Sequence, residues 1–317
     1  MDTLTSYSTF VQKKSSDGSN LAGSYVRALR YATRMLRATM PEYAHMAAIW
    51  EIDSLKELEE IYRRVKSEER KKGDSVFAAA DVPKSYWLHR YCSNAIRTFA
   101  QFLTESKQAR DAVAVYNAES DPAAVAKAIG KWSFNPVFYL DDDVGASSKE
   151  GRDVIREVKA RQNQDVFRRI VLLNYGFSCC ITGLPVREVL QASHIIGWEE
   201  NVKTRLLPTN GLCLAATYHA AFDRHLISFD ENYRMILASS LKEYCTNRTF
   251  CDVFKAYEGR RLLPAVKFQP AQEFLAVHRE RLNRIDRAPG KSDKQTSFDS
   301  LVSPSPNDLA VNFAAPS

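Results

Sequence analysis

The stretch CLAATYHAAFDRHL, residues 213–226, places an imidazole and a carboxylate four residues apart, at His219 and Asp223. On a helix, residues four apart lie one above the other on the same face, close enough to contact the same object. Such a pair can either interact locally near a helix end or share one ligand. Upstream, two further polar residues stand among apolar neighbours: His194 follows a run of strand-forming residues, and Asn210 precedes another.

Four short fragments occur in order along this part of the chain: CITG from Cys180, ASHIIGW from Ala192, NGLCL from Asn210 and HAAFD from His219. In this order and spacing they resemble the HNH, or ββα-metal, endonucleases. The likeness is closest to the subgroup described as predicted restriction endonucleases, and it covers about residues 155–285. Each fragment alone is weak evidence, so the signal lies in the order of all four.

The resemblance, together with the patterns along the chain, predicts an α+β protein: an N-terminal helical domain, then a ββα-metal (HNH) nuclease domain, then a disordered C-terminal tail. The expected boundaries are a disordered N-terminus at 1–22, a helical domain of unknown role at 23–140, a linker at 141–152, the nuclease domain at 153–286 and the tail at 287–317. The tail is polar and rich in Ser and Pro, which is typical of disorder. The acidic residues, Gly145 and serines of the linker break the helical pattern.

The resemblance also implies roles for the polar residues, and the predicted catalytic set is His194, Asn210 and His219. An imidazole can accept a proton from water near neutral pH, which phosphodiester hydrolysis requires, and the likeness assigns that task to His194. It assigns metal binding to His219 and Asp223. Asn210 is expected to hydrogen-bond backbone across the loop. The alternatives are a structural histidine in a buried strand, a local His–Asp pair and an ordinary turn asparagine.

One departure from the family concerns Ser193, which stands where many HNH enzymes carry Asp or His just before the base. A hydroxyl is a poor ligand, so Ser193 is predicted to take part in metal binding weakly or through water. The mixed nitrogen and oxygen donors suit a divalent cation, with Mg²⁺ or Mn²⁺ favoured and Zn²⁺ possible. No CxxC pair occurs among the six cysteines, so Cys179, Cys180 and Cys213 are interpreted as core thiols rather than zinc ligands.

Four residues are candidates for nucleic-acid binding: Arg205 and His225 near the motif, and Arg161 and Arg168 on the helix that leads into it. Each has an alternative, either as an ordinary surface residue or as a member of a structural salt link. A fifth candidate feature is the row of arginines on the helix predicted from Gly23, at positions 27, 30, 34 and 37. That row could follow a phosphate backbone, or it could be a solvated outer face.

Composition sets limits on the class of protein. The chain has 317 residues, 45% hydrophobic and 26% charged, and a net charge of +6, which favours a polyanionic partner without proving one. It contains no run of eighteen apolar residues and no secretory signal pattern, so a cytoplasmic protein without a membrane segment is expected. The predicted partners are double-stranded DNA and, because one ββα unit would cut one strand, a second copy in a homodimer.

Three functions remain open from the sequence. The first is a metal-dependent DNA endonuclease in restriction or phage defence. The second is a DNA-binding protein that keeps the scaffold without turnover, for which Ser193 is the supporting feature. The third is a toxin-like nuclease that acts on RNA or on any DNA.

Overall fold

The computed structural model describes residues 2–15, 20–132, 134–140 and 146–287. It confirms the α+β class, with a helical first half and small antiparallel sheets in the second. The helices are α1 Thr3–Lys14, α2 Leu21–Thr39, α3 Leu55–Arg70, α4 Ser85–Leu88, α5 Tyr91–Ala118, α6 Pro122–Gly130, α7 Lys149–Asn174, α8 Ala216–Asp223, α9 Arg248–Val253 and α10 Gln272–Arg287. The strands are β1 Leu190–His194, β2 Gly211–Ala215, β3 Ile227–Phe229 and β4 Met235–Leu237.

The N-terminal core is formed by α1, α2, α3 and α5, whose apolar stripes meet around buried aromatic side chains. Ser54 before the run LKELEEIYRRV predicts a helix start, and this is confirmed, because the Ser54 side chain accepts a hydrogen bond from the N–H of Glu57. The aromatic-rich sequence from Tyr86 to Leu103 predicts a single helix, and this prediction is wrong. The chain breaks at Arg90, whose φ of 59° is left-handed, so α4 ends before α5 begins.

The predicted disorder of residues 1–22 is also wrong over most of its length. Helix α1 begins after an Asp2 cap, and its Tyr7 and Val11 side chains are buried in the N-terminal core. The Tyr7 hydroxyl donates a hydrogen bond to the Ala95 carbonyl of α5 at 3.0 Å. The polar surface of α1 conceals a short apolar stripe, and that stripe is stable only because α2 and α5 cover it.

Helix α7 connects the two halves of the molecule. It begins at Lys149 with Ser148 as its cap, so the last part of the predicted linker is helical; residues 141–145 lie outside the described residues. Val166 and Ile170 pack with α5 and α6, whereas Phe167 and Val171 pack against the sheet of the second half. Because these two pairs occupy neighbouring stripes of one helix, the helical region and the nuclease region share a core element and not merely a tether.

Two small sheets lie in the second half. Strands β1 and β2 are antiparallel with His194 opposite Gly211, and α8 follows β2 directly. The sequence HLISFDENYRMILASS predicts a hairpin with DENY at its turn, and this prediction is confirmed, with β3 and β4 antiparallel. The sequence at Cys180–Thr182 predicts a short strand, but the structure has a turn there. The sequence GRRLLPAVKFQ predicts a closing strand, of which the structure retains one bridge between Arg234 and Arg261.

Further predictions concern the cysteines and the C-terminal tail. Cys179, Cys180 and Cys213 are free and buried in the second core, as expected of core thiols. The tail predicted at 287–317 lies outside the described residues except for Arg287, where α10 ends. Across the described part of the chain, no helix combines the length and the apolar character that a membrane span requires.

Candidate active site

Strand β1, strand β2 and helix α8 together position the residues singled out in the sequence. The antiparallel register sets Ser193 opposite Leu212, one residue before the end of β1, and α8 then folds back beside β1. A hydrogen bond joins strand and helix directly, since Ser193 Oγ lies 2.8 Å from His219 Nδ1. Ser193 is fully buried, so this contact is shielded from water.

His194 is held on two sides at the end of β1. Its ring stacks on Phe167 of α7 with 3.8 Å between centroids, and its Nε2 lies 3.0 Å from the Arg205 carbonyl oxygen. A carbonyl only accepts, so the Nε2 atom carries the hydrogen and the Nδ1 atom of the neutral ring keeps a free lone pair. Burial lowers the pKa of His194, and this favours the neutral ring that a general base needs at pH 7.

Asn210 fastens the loop that follows β1. Its side-chain amide bonds both the N–H and the carbonyl of Ile196, at 2.8 and 3.0 Å, and also the Thr204 carbonyl at 3.2 Å. Asn210 is completely buried, so these backbone groups form hydrogen bonds with its amide and not with water. The loop carries the Arg205 carbonyl, and Asn210 thereby stabilises the partner of His194.

His219 and Asp223 lie one helical turn apart on α8, with Nε2 and Oδ2 separated by 3.3 Å. Two donors bound to one cation at about 2.1 Å with an angle near 100° are separated by about the same distance. Both side chains are partly exposed, and His219 Nδ1 is already occupied by Ser193, which leaves Nε2 for a ligand. The pair therefore fits one edge of a coordination shell.

Within the described residues, no group of three or more His, Cys, Asp or Glu side chains is arranged to hold a metal ion. Protein donors would thus supply only part of a shell, which is how Mg²⁺ commonly binds, with water and substrate phosphate completing it. Ser193 was predicted to join the metal ligands. That participation, weak or through water, stays a prediction; the structure shows the buried hydroxyl of Ser193 bonded to His219, where it orients that ring.

Three of these residues, His194, His219 and Asp223, line one cleft of about 350 Å³. His194 comes from β1, and His219 and Asp223 come from α8. His225, predicted to bind nucleic acid, also lines the cleft. The remaining walls include residues that the sequence did not single out: Trp198, Glu200, His278 and Arg281.

The three arginines predicted to bind nucleic acid do not line this cleft. The Arg205 side chain donates from Nε to the Trp198 carbonyl and lies over the Trp198 ring, so its guanidinium is engaged within the loop. Arg161 pairs with Glu157 of its own helix, and Arg168 contacts Gln191 at 3.4 Å. Arg205 thus contacts the site through its backbone carbonyl, which bonds His194. Arg161 and Arg168 lie on α7, outside the lining of the cleft.

Helix α10 is the part of the site that sequence reasoning missed. His278 and Arg281 reach the cleft from this helix, far along the chain from the motif fragments. Arg281 forms a two-pronged ion pair with Glu200, in the loop after β1, with Nη1 to Oε1 at 2.8 Å. The available signal was a histidine on the apolar side of an amphipathic helix, between the buried Leu275 and Leu282.

The arrangement is a ββα unit in which the oriented imidazole of His194 lines the same cleft as His219 and Asp223. Residues 179–230 match the model of the HNH_2 family, described as HNH endonuclease. This match supports an HNH endonuclease domain over these residues and thus a nuclease of the HNH type. No curated protein matches the chain. The matched segment includes the motif residues and ends before α10.

Proposed function

We propose that this protein is a metal-dependent endonuclease that hydrolyses DNA phosphodiester bonds in a restriction or phage-defence system. The observation that carries the proposal is the geometry of His194. Its Nε2–H is held by the Arg205 carbonyl, its ring rests on Phe167, and it lines the same cleft as His219 and Asp223. The net charge of +6 is consistent with a polyanionic substrate.

In this proposal His194 takes a proton from the attacking water through Nδ1. Proton transfer to a positioned side chain contributes about 10² to 10⁴ in rate. His219 Nε2 and the Asp223 carboxylate would hold a divalent cation, with Mg²⁺ or Mn²⁺ preferred over Zn²⁺. When bound, such an ion would neutralise charge that develops on the phosphate. Ser193 and Asn210 act indirectly, by orienting the His219 ring and the loop that carries the Arg205 carbonyl.

The first experiment is nicking of supercoiled plasmid by the full chain with Mg²⁺ or Mn²⁺, with and without EDTA. We expect nicking with the cation and none with EDTA. His194→Ala should lower the rate by about 10² to 10⁴ while DNA affinity stays within about threefold, because only the base is removed. His45→Ala is the matched control, since His45 is exposed and outside the cleft.

A protein that binds duplex DNA but never nicks it, with His194→Ala indistinguishable from wild type, would favour the second candidate, a binding protein without turnover. The observation behind that candidate is that, among the described residues, no group of three or more His, Cys, Asp or Glu side chains is arranged to hold a cation. An RNA substrate run in parallel separates a toxin-like nuclease from a DNA enzyme.

The biological role needs a different comparison. Plain, methylated and hydroxymethylated DNA of one sequence should be cleaved at different rates if the protein acts in restriction. Equal rates on all three would contradict that part of the proposal and leave the nuclease activity untouched. Double-strand cleavage by one active site per chain calls for a homodimer, which light scattering on the DNA complex can test.

A further inference from the structure

A second pair of imidazoles, His225 and His278, lines the cleft, and neither has a role in the mechanism proposed above. His225 Nδ1 is 3.0 Å from His278 Nε2. His278 is only 2% exposed and its ring stacks flat on Phe222, with centroids 3.8 Å apart. His225 adopts a left-handed φ of 55° just after α8, a conformation that histidine tolerates better than most side chains.

The positions of the hydrogens follow from the acceptors around His278. Its Nε2 also lies 3.0 Å from the Phe222 carbonyl, which can only accept, so Nε2 carries the hydrogen. The bare Nδ1 atom then accepts from the Ser228 hydroxyl, 3.0 Å away. The same Nε2–H of His278 faces His225 Nδ1. That nitrogen must therefore present a lone pair and not a hydrogen.

This chain of contacts determines the tautomer of His225. With Nδ1 acting as acceptor, the neutral ring carries its hydrogen on Nε2. That Nε2 makes no hydrogen bond to any residue in the described ranges, and the side chain lines the cleft that also contains His194 and Asp223. We call the contacts from Ser228 through His278 to His225 the relay. The relay presents one oriented N–H group, His225 Nε2–H, at the cleft.

We propose that His225 donates this Nε2–H to an oxygen of the scissile phosphate, and that His278 is a positioning residue that keeps His225 in the donating tautomer. The proposal rests on the nuclease function proposed above. A preorganised neutral donor stabilises negative charge that grows on a phosphate oxygen as the bond breaks.

Helix α10 supports the relay from outside the matched family segment. Arg281 pairs with Glu200, and Arg279 donates to the Phe229 carbonyl at 2.9 Å and pairs with Glu231 at 2.8 Å. These contacts hold the helical turn that follows His278. The geometry of the second imidazole pair thus depends on an element that lies after the motif.

Amide substitutions separate the two nitrogens of each ring. In His225→Asn, the amide can replace Nδ1 and keep the bond to His278, but the N–H at the cleft is lost. In His225→Gln, the amide nitrogen can replace Nε2. We expect His225→Asn to lower the single-turnover nicking rate at saturating DNA by about tenfold to a hundredfold, with DNA affinity within about twofold, and His225→Gln to recover most of that loss.

The corresponding pair at His278 tests the positioning role. His278→Gln can keep a donor toward His225, whereas His278→Asn keeps only the side toward Ser228, so Asn should slow nicking more than Gln. Combining His278→Asn with His225→Asn should add little further loss, because both act through one N–H. Additive losses would assign His278 to the fold alone and overturn its positioning role.

Long-range ¹H–¹⁵N spectra of the wild-type full chain report the tautomers without any variant. The expected signals are a hydrogen-bearing Nε2 and a bare Nδ1 on both His225 and His278; a hydrogen on Nδ1 of His225 overturns the inference. If wild-type protein nicks DNA, His194→Ala strongly slows nicking and His225→Asn nicks as fast as wild type, the inference about His225 is overturned and the proposed nuclease function stands. Wild-type protein that never nicks removes the proposed function and this inference together.

Discussion

The two halves of this molecule use buried polar groups and arginines in different ways. In the helical half, Glu69 accepts a hydrogen bond from the Ser93 N–H at the start of α5. Two arginines of α2 bond to residues of the same half, Arg27 to Tyr86 and Arg34 to Asp81. In the nuclease half, buried polar groups hold loops and aim side chains into a cleft. The difference indicates that the first half is organised to stabilise helices and the second to position chemistry.

The largest expected effect on stability comes from Asn210→Ala in the nuclease half. The change leaves the Ile196 amide groups and the Thr204 carbonyl without their partner in a buried loop. We expect a loss of roughly 4 kcal/mol in the free energy of unfolding. Urea unfolding measures it, and the exposed turn residue Asn232 supplies the control, since Asn232→Ala should stay within about 0.5 kcal/mol. Similar losses at both positions would remove the argument that Asn210 holds the loop.

The second effect tests the helical half through pH. Burial raises the pKa of Glu69 from 4.5 to about 7, and its Oε2 has no hydrogen-bond partner among the described residues. Because the folded state binds the proton more tightly, this contribution is full below about pH 4.5 and is lost as the pH rises through about 7. Its upper limit is about 3 kcal/mol.

Glu69→Gln should remove that part of the pH dependence when unfolding is measured at pH 5 and pH 8. Glu68→Gln is the matched control with the opposite sign. Burial by itself raises the pKa of Glu68, but Lys71, the Val76 N–H and Ser75 outweigh it, and the pKa is lowered. Removing the Glu68 charge should therefore cost stability at pH 8. A Glu69→Gln variant with an unchanged pH profile would contradict the assignment.

The third effect concerns close packing behind the candidate base. A Cβ at Gly211 would collide with Val171 and would meet Phe167 Cζ at 2.9 Å, and Phe167 is the ring on which His194 stacks. Gly211→Ala should cost about 2 kcal/mol and slow nicking as well, because the ring under His194 must move. Gly73→Ala in the helical half meets nothing within 4 Å among the described residues and should be neutral within about 0.5 kcal/mol. Equal unfolding midpoints for the two variants would be inconsistent with this packing.

The smallest effect separates the arginine row of α2 from a DNA-binding surface. Arg34 and Asp81 form an exposed ion pair at 2.7 Å, worth less than about 0.5 kcal/mol. Arg30→Gln combined with Arg34→Gln should leave both stability and DNA affinity almost unchanged. A clear fall in the salt dependence of DNA binding would instead show that this row contacts phosphates.

Local pattern was enough for several elements. Ser54 before an amphipathic run predicted the start of α3, and the alternation around DENY predicted the β3–β4 hairpin. Both depend on residues only a few positions apart. The pattern failed for α1, whose short apolar stripe is covered by helices much later in the chain, and at Arg90, where one left-handed residue separates α4 from α5.

For the candidate site, the order of the four fragments indicated which residues belong together, and the described cleft contains His194, His219, Asp223 and His225. The roles proposed for them remain to be tested by the experiments above. The sequence did not reveal that Ser193 would bind His219, or that the Arg205 carbonyl and not its guanidinium would serve the site. Those outcomes depend on which side of a strand or loop faces its neighbour.

By itself, the sequence determined the α+β class, the HNH motif and the residues that carry it, because helix and strand periodicity and fragment order are local properties of the chain. Only the tertiary structure decided that α7 serves two cores and that α10 completes the cleft through His278 and Arg281. Contacts such as His225 with His278 join residues more than fifty positions apart. Their geometry, and hence the tautomer of each imidazole, arises only when distant elements pack against one another.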